Sequence, residues 1–318
     1  MTKSRPGNNP PGSNPPGGNP ISPPYLAWLE ADAAAGPTRS YRLACRLPEL
    51  MRAQGRTASA RAGWALARTV FCKGRFEESR ALLASIDMAA IDLEAITPDA
   101  DSESRLEWLI PAQQSWALAM LGEVDRALAQ AELARSWAET RPEPGLVSGH
   151  LAQLHCFLDA PEATLAWSRR ARASARQSVT SNIARLLEYW ALSRLAQTPD
   201  ETAAQTALAE LRRHSPAHEA RAFSLYAQAL FHQAPALAVT QLDAALDLNA
   251  RFGLHHWTAR LLHLKSKSLD AGGQLSEASR FLELAREVAQ RQDARLFLAE
   301  IEGIESRPRS SPTLLPAS

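Results

Sequence analysis

The sequence has very few β-branched aliphatic residues. Of its 318 residues only 14 are Val or Ile, whereas Ala and Leu together supply 103. Val and Ile favour pleated strands, while Ala and Leu are good helix formers. This composition excludes a sheet-rich protein, such as a Rossmann core or a β-barrel, and predicts an all-α chain.

Cysteine and long apolar segments are also scarce. The three cysteines, Cys45, Cys72 and Cys156, lie far apart and form no C-x-x-C pair. A sparse, odd number of cysteines is typical of a reducing compartment, where thiols pack as small apolar side chains. The first twenty residues contain no apolar core of a signal peptide, and no apolar run is long enough to span a membrane. We therefore expect a cytoplasmic protein with no membrane partner.

Charge of one sign is not in excess either. The chain has 35 basic and 34 acidic residues, for a formal net charge of +1. Dedicated nucleic-acid binders usually carry a clear basic excess, so a nucleic-acid partner is not expected. Of the basic residues, 31 are Arg and 4 are Lys. This bias fits either recognition of carboxylates or phosphates by planar guanidinium groups or the codon bias of a GC-rich genome.

The motifs of common catalytic and metal sites are missing. The sequence has no phosphate-binding loop, no G-x-G-x-x-G, no G-x-S-x-G and no H-E-x-x-H. His214 and His218 are separated by Ser-Pro, which interrupts a helix, and His256 and His263 lack nearby Cys or carboxylate ligands. We expect no enzymatic activity, no cofactor and no metal site.

The two ends of the sequence differ from the middle. Residues 1–24 contain eight Pro, four Gly and four Asn, and have almost no apolar surface to bury. We expect disordered tails over residues 1–24 and 306–318. Between them we expect an N-terminal helical cap over residues 25–57 and a repeat region over residues 58–305. An acidic insertion at about residues 87–104 interrupts that region.

Similar turns recur along the chain, some with glycine and some degenerate. The turn landmarks are Gly74, Gly122, Asp159, Pro199, Gln233 and Gly273. From the second landmark onward the intervals are 37, 40, 34 and 40 residues, an average near 38. Units of helix, tight turn and helix at such a pitch are typical of an α-solenoid, because each unit buries its apolar face against the next. We therefore predict a right-handed superhelical solenoid of about six helix-turn-helix repeats.

The residues after these turns resemble the tetratricopeptide repeat. That family places a small residue five, a larger residue nine and an alanine twelve positions after the turn glycine. The corresponding residues in three repeats here are Ala127, Ala131 and Ala134, then Ala238, Leu242 and Ala245, then Ala278, Leu282 and Ala285.

The longer pitch has a second resemblance. The chain is similar to the helical-repeat sensor region of maltotriose-activated-type bacterial transcription regulators in its repeat pitch, in residues 244–253 and in the stretch Ala259-Arg260-Leu261-Leu262. This resemblance covers about residues 58–305 and implies an α-solenoid. The nucleotide-binding module and helix-turn-helix of those regulators have no counterpart in this sequence, so a separate partner would have to supply them.

The tetratricopeptide resemblance also implies which side chains face a concave groove. These candidate binding residues are Arg61, Trp64, Arg68, Trp116, Gln153, Tyr189, Phe223, Arg260, His263 and Lys267. Aromatic and Arg side chains are the types that dominate binding energy at interfaces. The alternative for Trp116 is a place in the core. A basic stripe formed by Arg169, Arg172 and Arg176 is interpreted either as a solvated helix face or as a contact for RNA, DNA or an acidic partner.

Two functions follow from this resemblance. The first is a non-enzymatic scaffold or adaptor that binds another protein, or a peptide segment of it, in the concave groove. The alternative is a regulatory sensor that binds a small ligand or peptide and acts on a separate transcription or signalling partner.

Overall fold

Helices make up the secondary structure of the described chain, as the composition predicts. The computed structural model describes residues 23–88, 106–139, 144–175 and 178–303, and within these ranges no strand occurs. The predicted disordered tails fall almost wholly outside the described residues, as does most of the predicted insertion.

Fourteen α-helices and three short 3₁₀-helices follow one another in these ranges. The α-helices are α1 (Pro23–Met51), α2 (Arg56–Cys72), α3 (Phe76–Ala84), α4 (Leu106–Met120), α5 (Val124–Glu139), α6 (Pro144–Phe157), α7 (Pro161–Ser174), α8 (Ser178–Arg194), α9 (Glu201–His214), α10 (Pro216–Gln233), α11 (Val239–Phe252), α12 (Thr258–Ala271), α13 (Leu275–Arg291) and α14 (Arg295–Ile301). The 3₁₀-helices are Arg52–Gln54, Pro235–Leu237 and His255–Trp257. None of the helices in the described part of the chain is both long and apolar enough to cross a membrane.

The glycine turns share one backbone geometry. Gly74, Gly122 and Gly273 have φ values of 77°, 77° and 76°, in the left-handed region that glycine adopts without strain. At Gly122 the amide N–H donates to the Ala119 carbonyl at 2.9 Å, and the next amide donates to the Leu118 carbonyl, also at 2.9 Å. This double hydrogen bond is the Schellman arrangement, which satisfies carbonyls at the end of a helix. The prediction of helix-ending turns at these glycines is confirmed.

Two degenerate turns have the same geometry without glycine. Asp159 and Ala196 have φ values of 52° and 54°. The Ala196 amide donates to Ser193 and the following amide donates to Leu192, at 3.2 and 2.9 Å. The landmark at Pro199 is therefore three residues too late, because an alanine in this conformation leaves no signal in the sequence. With this correction, the intervals from Gly122 to Asp159 and from there to Ala196 are both 37 residues.

Ala196→Gly is expected to raise the free energy of unfolding by about 0.5–1 kcal/mol, since glycine removes the strain of a left-handed L-residue. Ala196 is exposed, so no packing is lost. The control is Ala209→Gly, at an exposed position inside α9, which should lower stability by about 1 kcal/mol. Urea denaturation of both variants checks the pair. Equal destabilisation by both would contradict the turn geometry.

The even-numbered helices form the inner layer. We call α2, α4, α6, α8, α10, α12 and α14 the inner helices. Each one packs against the next, and α14 also packs against α4. At the other end of the chain, α1 packs against α10 and α11. A Cβ atom added at Gly36, where α1 bends, would lie 2.7 Å from the Phe252 carbonyl, so glycine allows this close approach. Each end of the described chain therefore packs against helices from the opposite half of the chain.

Aromatic side chains fill the space that the inner helices surround. Phe71 contacts Trp116 and Phe157 with ring-centroid distances of 6.0 and 6.3 Å. Phe157 lies 4.7 Å from Trp257, which stacks with Phe297 at 6.4 Å. All five side chains are almost completely buried. Aromatic side chains bury large apolar areas, so this column joins α2, α4, α6 and α14 into one core.

Candidate functional site

All ten predicted groove residues lie on inner helices, but most of them are packed. Trp64, Trp116, Gln153, Tyr189, Arg260 and His263 are at most 6% exposed. Arg61, Arg68 and Phe223 are half-buried, and Lys267 is exposed. The residues chosen from the tetratricopeptide resemblance therefore all lie on inner helices. The aromatic column, however, occupies the volume in which an open groove was expected.

The structure divides the predicted residues among separate clusters. Tyr189 donates a hydrogen bond to Glu201, which also accepts one from Tyr226 at 2.6 Å. Gln233 donates to the Tyr189 hydroxyl at 2.9 Å. Since these hydrogen bonds join α8, the start of α9 and α10, this cluster is explained by packing of the helices. The Arg260 and His263 cluster faces Glu300 of α14.

Arg68 and Trp116 belong to a third cluster, which surrounds a cavity. The cavity volume is about 100 Å³, which is enough for several water molecules. Its walls come from α1, α2, α4, α10 and the segment after α11. The lining residues are Leu29, Asp32, Pro37, Arg68, Phe71, Cys72, Gln113, Trp116, Ala217, His218, Arg221, Leu254 and His256.

Arg221 carries the unusual charge of this cavity. Its Nη2 donates a hydrogen bond to Gln153 Oε1 at 3.3 Å, and its guanidinium lies 5.4 Å from the centre of the Trp116 ring. Within the described residues no carboxylate forms an ion pair with it. Burial lowers the pKa of Arg221 to about 10, and the charge of Arg68 contributes to the shift. The guanidinium is still protonated at neutral pH, so the described lining of the cavity contains two arginines, Arg68 and Arg221, and one carboxylate, Asp32.

The second arginine of the cavity is neutralised. Arg68 Nη1 lies 2.8 Å from Asp32 Oδ2, and Asp32 also accepts a hydrogen bond from Ser40 Oγ at 2.9 Å. The Arg68 guanidinium lies 5.6 and 5.8 Å from the ring centres of Trp28 and Trp64. This ion pair and the cation–π contacts hold Arg68 between α1 and α2.

The nearby titratable groups add no further charge. Burial lowers the pKa of His218 and of His256 to about 3, and lowers that of His150 to about 4. His150 stacks on Trp116, with centroids 4.8 Å apart and ring planes 18° apart. Burial also raises the pKa of the Cys72 thiol to about 11. At pH 7 the three imidazoles are therefore neutral and the thiol is protonated.

Several buried polar atoms around the cavity have no hydrogen-bond partner among the residues that the structure describes. They are Gln113 Nε2, Gln153 Nε2, His218 Nδ1 and His256 Nδ1. Gln113 is only 2% exposed and His256 only 4%, so bulk water does not satisfy them fully. Unsatisfied buried polar groups are rare in native proteins, and each one indicates a bound water, a ligand or a functional role.

The groups that define this cavity were largely missed by the sequence interpretation. Gln113 lies one helical turn before Trp116, so the predicted position of Trp116 could have indicated it. Arg221 lies two positions from Phe223 and therefore on a different face of α10. Phe223 stays a predicted groove position, and only the contact of Arg221 with Trp116 of α4 shows that the neighbouring face of α10 lines the cavity.

The other charged features are explained by neighbouring side chains. Arg169 and Arg172 of the predicted basic stripe both pair with Glu188 of α8, and Arg176 lies outside the described residues. The His214 and His218 rings are 5.3 Å apart. No group of three potential metal ligands occurs in the described ranges.

No family model matches the sequence, and no curated protein is significantly similar to it.

Proposed function

We propose that this protein is a regulatory sensor that binds a small ligand in the cavity between α1, α2, α4 and α10. The observation that carries the proposal is the guanidinium of the half-buried Arg221, which faces a cavity larger than a water molecule and has no counterion among the described residues. A charge that is partly removed from bulk water and has no counterion lowers stability. Groups that are costly to the fold are common where a protein binds or reacts.

The position of the cavity supports a sensing role. Its walls combine α1, α2 and α4 from the first half of the chain with α10 and the segment after α11 from the second half. A ligand in the cavity touches both halves and stabilises the contact of α1 with α10 and α11. A ligand shifts a conformational equilibrium by its differential affinity for the two states. Binding therefore favours the closed array, and release loosens it, which a separate transcription or signalling partner detects.

The repeat architecture is part of the same proposal. We interpret the helix pairs as a right-handed superhelix of about six tetratricopeptide-like repeats. The equivalent turns at Gly74, Gly122, Asp159, Ala196 and Gly273 support this interpretation. So does the order in which the inner helices pack. The resemblance to the sensor region of maltotriose-activated-type regulators agrees with a ligand-binding solenoid.

The scaffold hypothesis, with a polypeptide in the concave groove, stays a prediction. Six of the ten residues on which it depends make intramolecular contacts and are buried. A polypeptide would have to displace the aromatic column to reach them. A small molecule in the existing cavity requires no such rearrangement, and this difference favours the sensor.

Melting of the purified protein with a library of small metabolites tests the sensor. A ligand at one hundred times its Kd stabilises the native state by about 2.7 kcal/mol, so a true ligand should raise the melting temperature by several degrees. Ala217→Phe, which fills the cavity, should abolish the shift. Ala209→Phe, on the exposed face of α9, should keep it. Circular dichroism confirms that both variants are folded.

A shift that persists in folded Ala217→Phe would place the ligand elsewhere. A library without any stabilising member would contradict the sensor itself.

A further inference from the structure

We propose that the ligand of this cavity is a small monocarboxylate with an apolar body, whose carboxylate binds Arg221 and the amide of Gln113. This inference rests on the proposed function and names the chemical class of the ligand. Three properties of the cavity carry it: its charge, its hydrogen-bond donors and its walls.

The charge of the cavity lining favours a ligand with one negative charge. Arg68 is paired with Asp32 at 2.8 Å, and the imidazoles of His218 and His256 are neutral at pH 7. Arg221 is therefore the single uncompensated charge among the described lining residues. A monoanion neutralises it, whereas a dianion such as hydrogen phosphate would leave a net negative charge buried near the Asp32 carboxylate.

The donors fit a planar anion. An arginine has five N–H donors, in a fork that matches the two oxygens of a carboxylate. In the described structure only one hydrogen bond uses them, from Arg221 Nη2 to Gln153. The ring of Trp116 holds the guanidinium plane in place. Gln113 Nε2 is a further donor in the lining without a partner among the described residues, so the anion gives it an acceptor.

The walls and the size of the cavity define the rest of the ligand. Phe71, Trp116, Leu29 and Leu254 supply apolar surface around the charged end. Ligand sites of this kind combine apolar walls with a few placed polar groups that fix orientation. A volume of about 100 Å³ accepts a small molecule. A short aliphatic or aromatic acid meets all three conditions.

Calorimetric titration of the full chain with matched probes tests this proposal. The acids are benzoate and the linear carboxylates from acetate to octanoate, the neutral controls are benzamide and hexanamide, and the dianion is inorganic phosphate. We expect at least one acid to bind, with its amide at least about tenfold weaker and phosphate weaker still.

The variants separate the charge from the cavity. Arg221→Gln should weaken the acid about 10- to 100-fold. Arg221→Lys keeps the positive charge but loses the planar guanidinium. Its affinity for the acid should therefore lie between that of Arg221→Gln and that of the unchanged protein. Arg213→Gln removes an exposed arginine, paired with Glu210 on α9, and should leave the affinity unchanged. If Arg221→Gln does not fold, Arg221→Lys still tests the contribution of the guanidinium to binding.

Three results would contradict the proposal that the ligand is a carboxylate. They are amides that bind as tightly as the acids, phosphate that binds more tightly, or no binding by any acid. If a neutral library member still stabilises the protein and Ala217→Phe abolishes that effect, the sensor stands and only the carboxylate is wrong. If no ligand responds to Ala217→Phe, both proposals fall.

Discussion

Arg260→Met is expected to lower the free energy of unfolding by about 3–5 kcal/mol, the range for breaking a buried ion pair from one side. Arg260 is only 4% exposed. Its guanidinium donates hydrogen bonds to Glu300 Oε2 at 2.9 Å, to the Cys156 carbonyl at 2.9 Å and to the Phe157 carbonyl at 3.2 Å. It also lies 5.0 Å from the centre of the Phe297 ring. One side chain of α12 therefore connects the end of α6 with α14.

The loss is large because three acceptors lose their donor at once. Burial by itself would raise the pKa of Glu300, but the charge of Arg260 and the contact with His263 hold that pKa at about 2. A carboxyl group with a lowered pKa stabilises the native state above its ordinary titration range, and this stabilisation disappears as the pH falls toward 2. The effect of Arg260→Met should accordingly be largest at neutral pH and should shrink in acid.

Urea denaturation at pH 7 and again near pH 3 measures this effect. The matched control is Arg286→Met, since Arg286 pairs with Glu283 on the surface of α13 at 2.6 Å. Exposed pairs of this type contribute little to stability. A loss in Arg260→Met as small as in the control would mean that α14 is not held by this contact.

Arg221→Met is expected to change stability in the opposite direction and to raise the free energy of unfolding by about 1–3 kcal/mol. Arg221 has no carboxylate partner in the described structure, and its one hydrogen bond is long, at 3.3 Å. Methionine is flexible and apolar, so it can fill the same space beside Trp116 without a buried charge. The variant should also lose carboxylate binding.

Denaturation and ligand titration of the same Arg221→Met preparation test both parts. A gain in stability together with a loss of binding identifies a group that is present for function and not for folding. If Arg221→Met instead unfolds as easily as Arg260→Met, Arg221 is a structural residue and the cavity has no need of a ligand. Arg221 and Arg260 thus serve as opposite cases within one protein.

The helical class and the glycine turns were predictable because they depend on local interactions. Scarce Val and Ile, with abundant Ala and Leu, predicted helices throughout the described ranges. Gly74, Gly122 and Gly273 were recognised because glycine tolerates the left-handed conformation that ends a helix. Ala196 was not recognised, because an alanine in that conformation is held by the surrounding fold and has no compositional signature.

The candidate site was predictable only in part. Arg68, Trp116 and Gln153 were assigned to the inner face of their helices, and all three lie at or next to the cavity. Asp32, which neutralises Arg68, was missed because α1 was treated only as a cap. Arg221 was missed because the inner face of α10 is defined by its contact with α1, whose residues are almost 200 positions earlier in the chain.

Whether the inner helices leave an open groove or a packed interior was decided by the tertiary structure alone. Helical periodicity shows which residues share a face of a helix. It does not show how closely helices from distant parts of the chain approach one another. Here the closure depends on contacts between distant segments. Arg260 binds the Cys156 carbonyl across 104 positions, α14 packs against α4, and α1 packs against α10. Those contacts bury six of the ten predicted groove residues and leave, between α1 and α10, the cavity that contains Arg221.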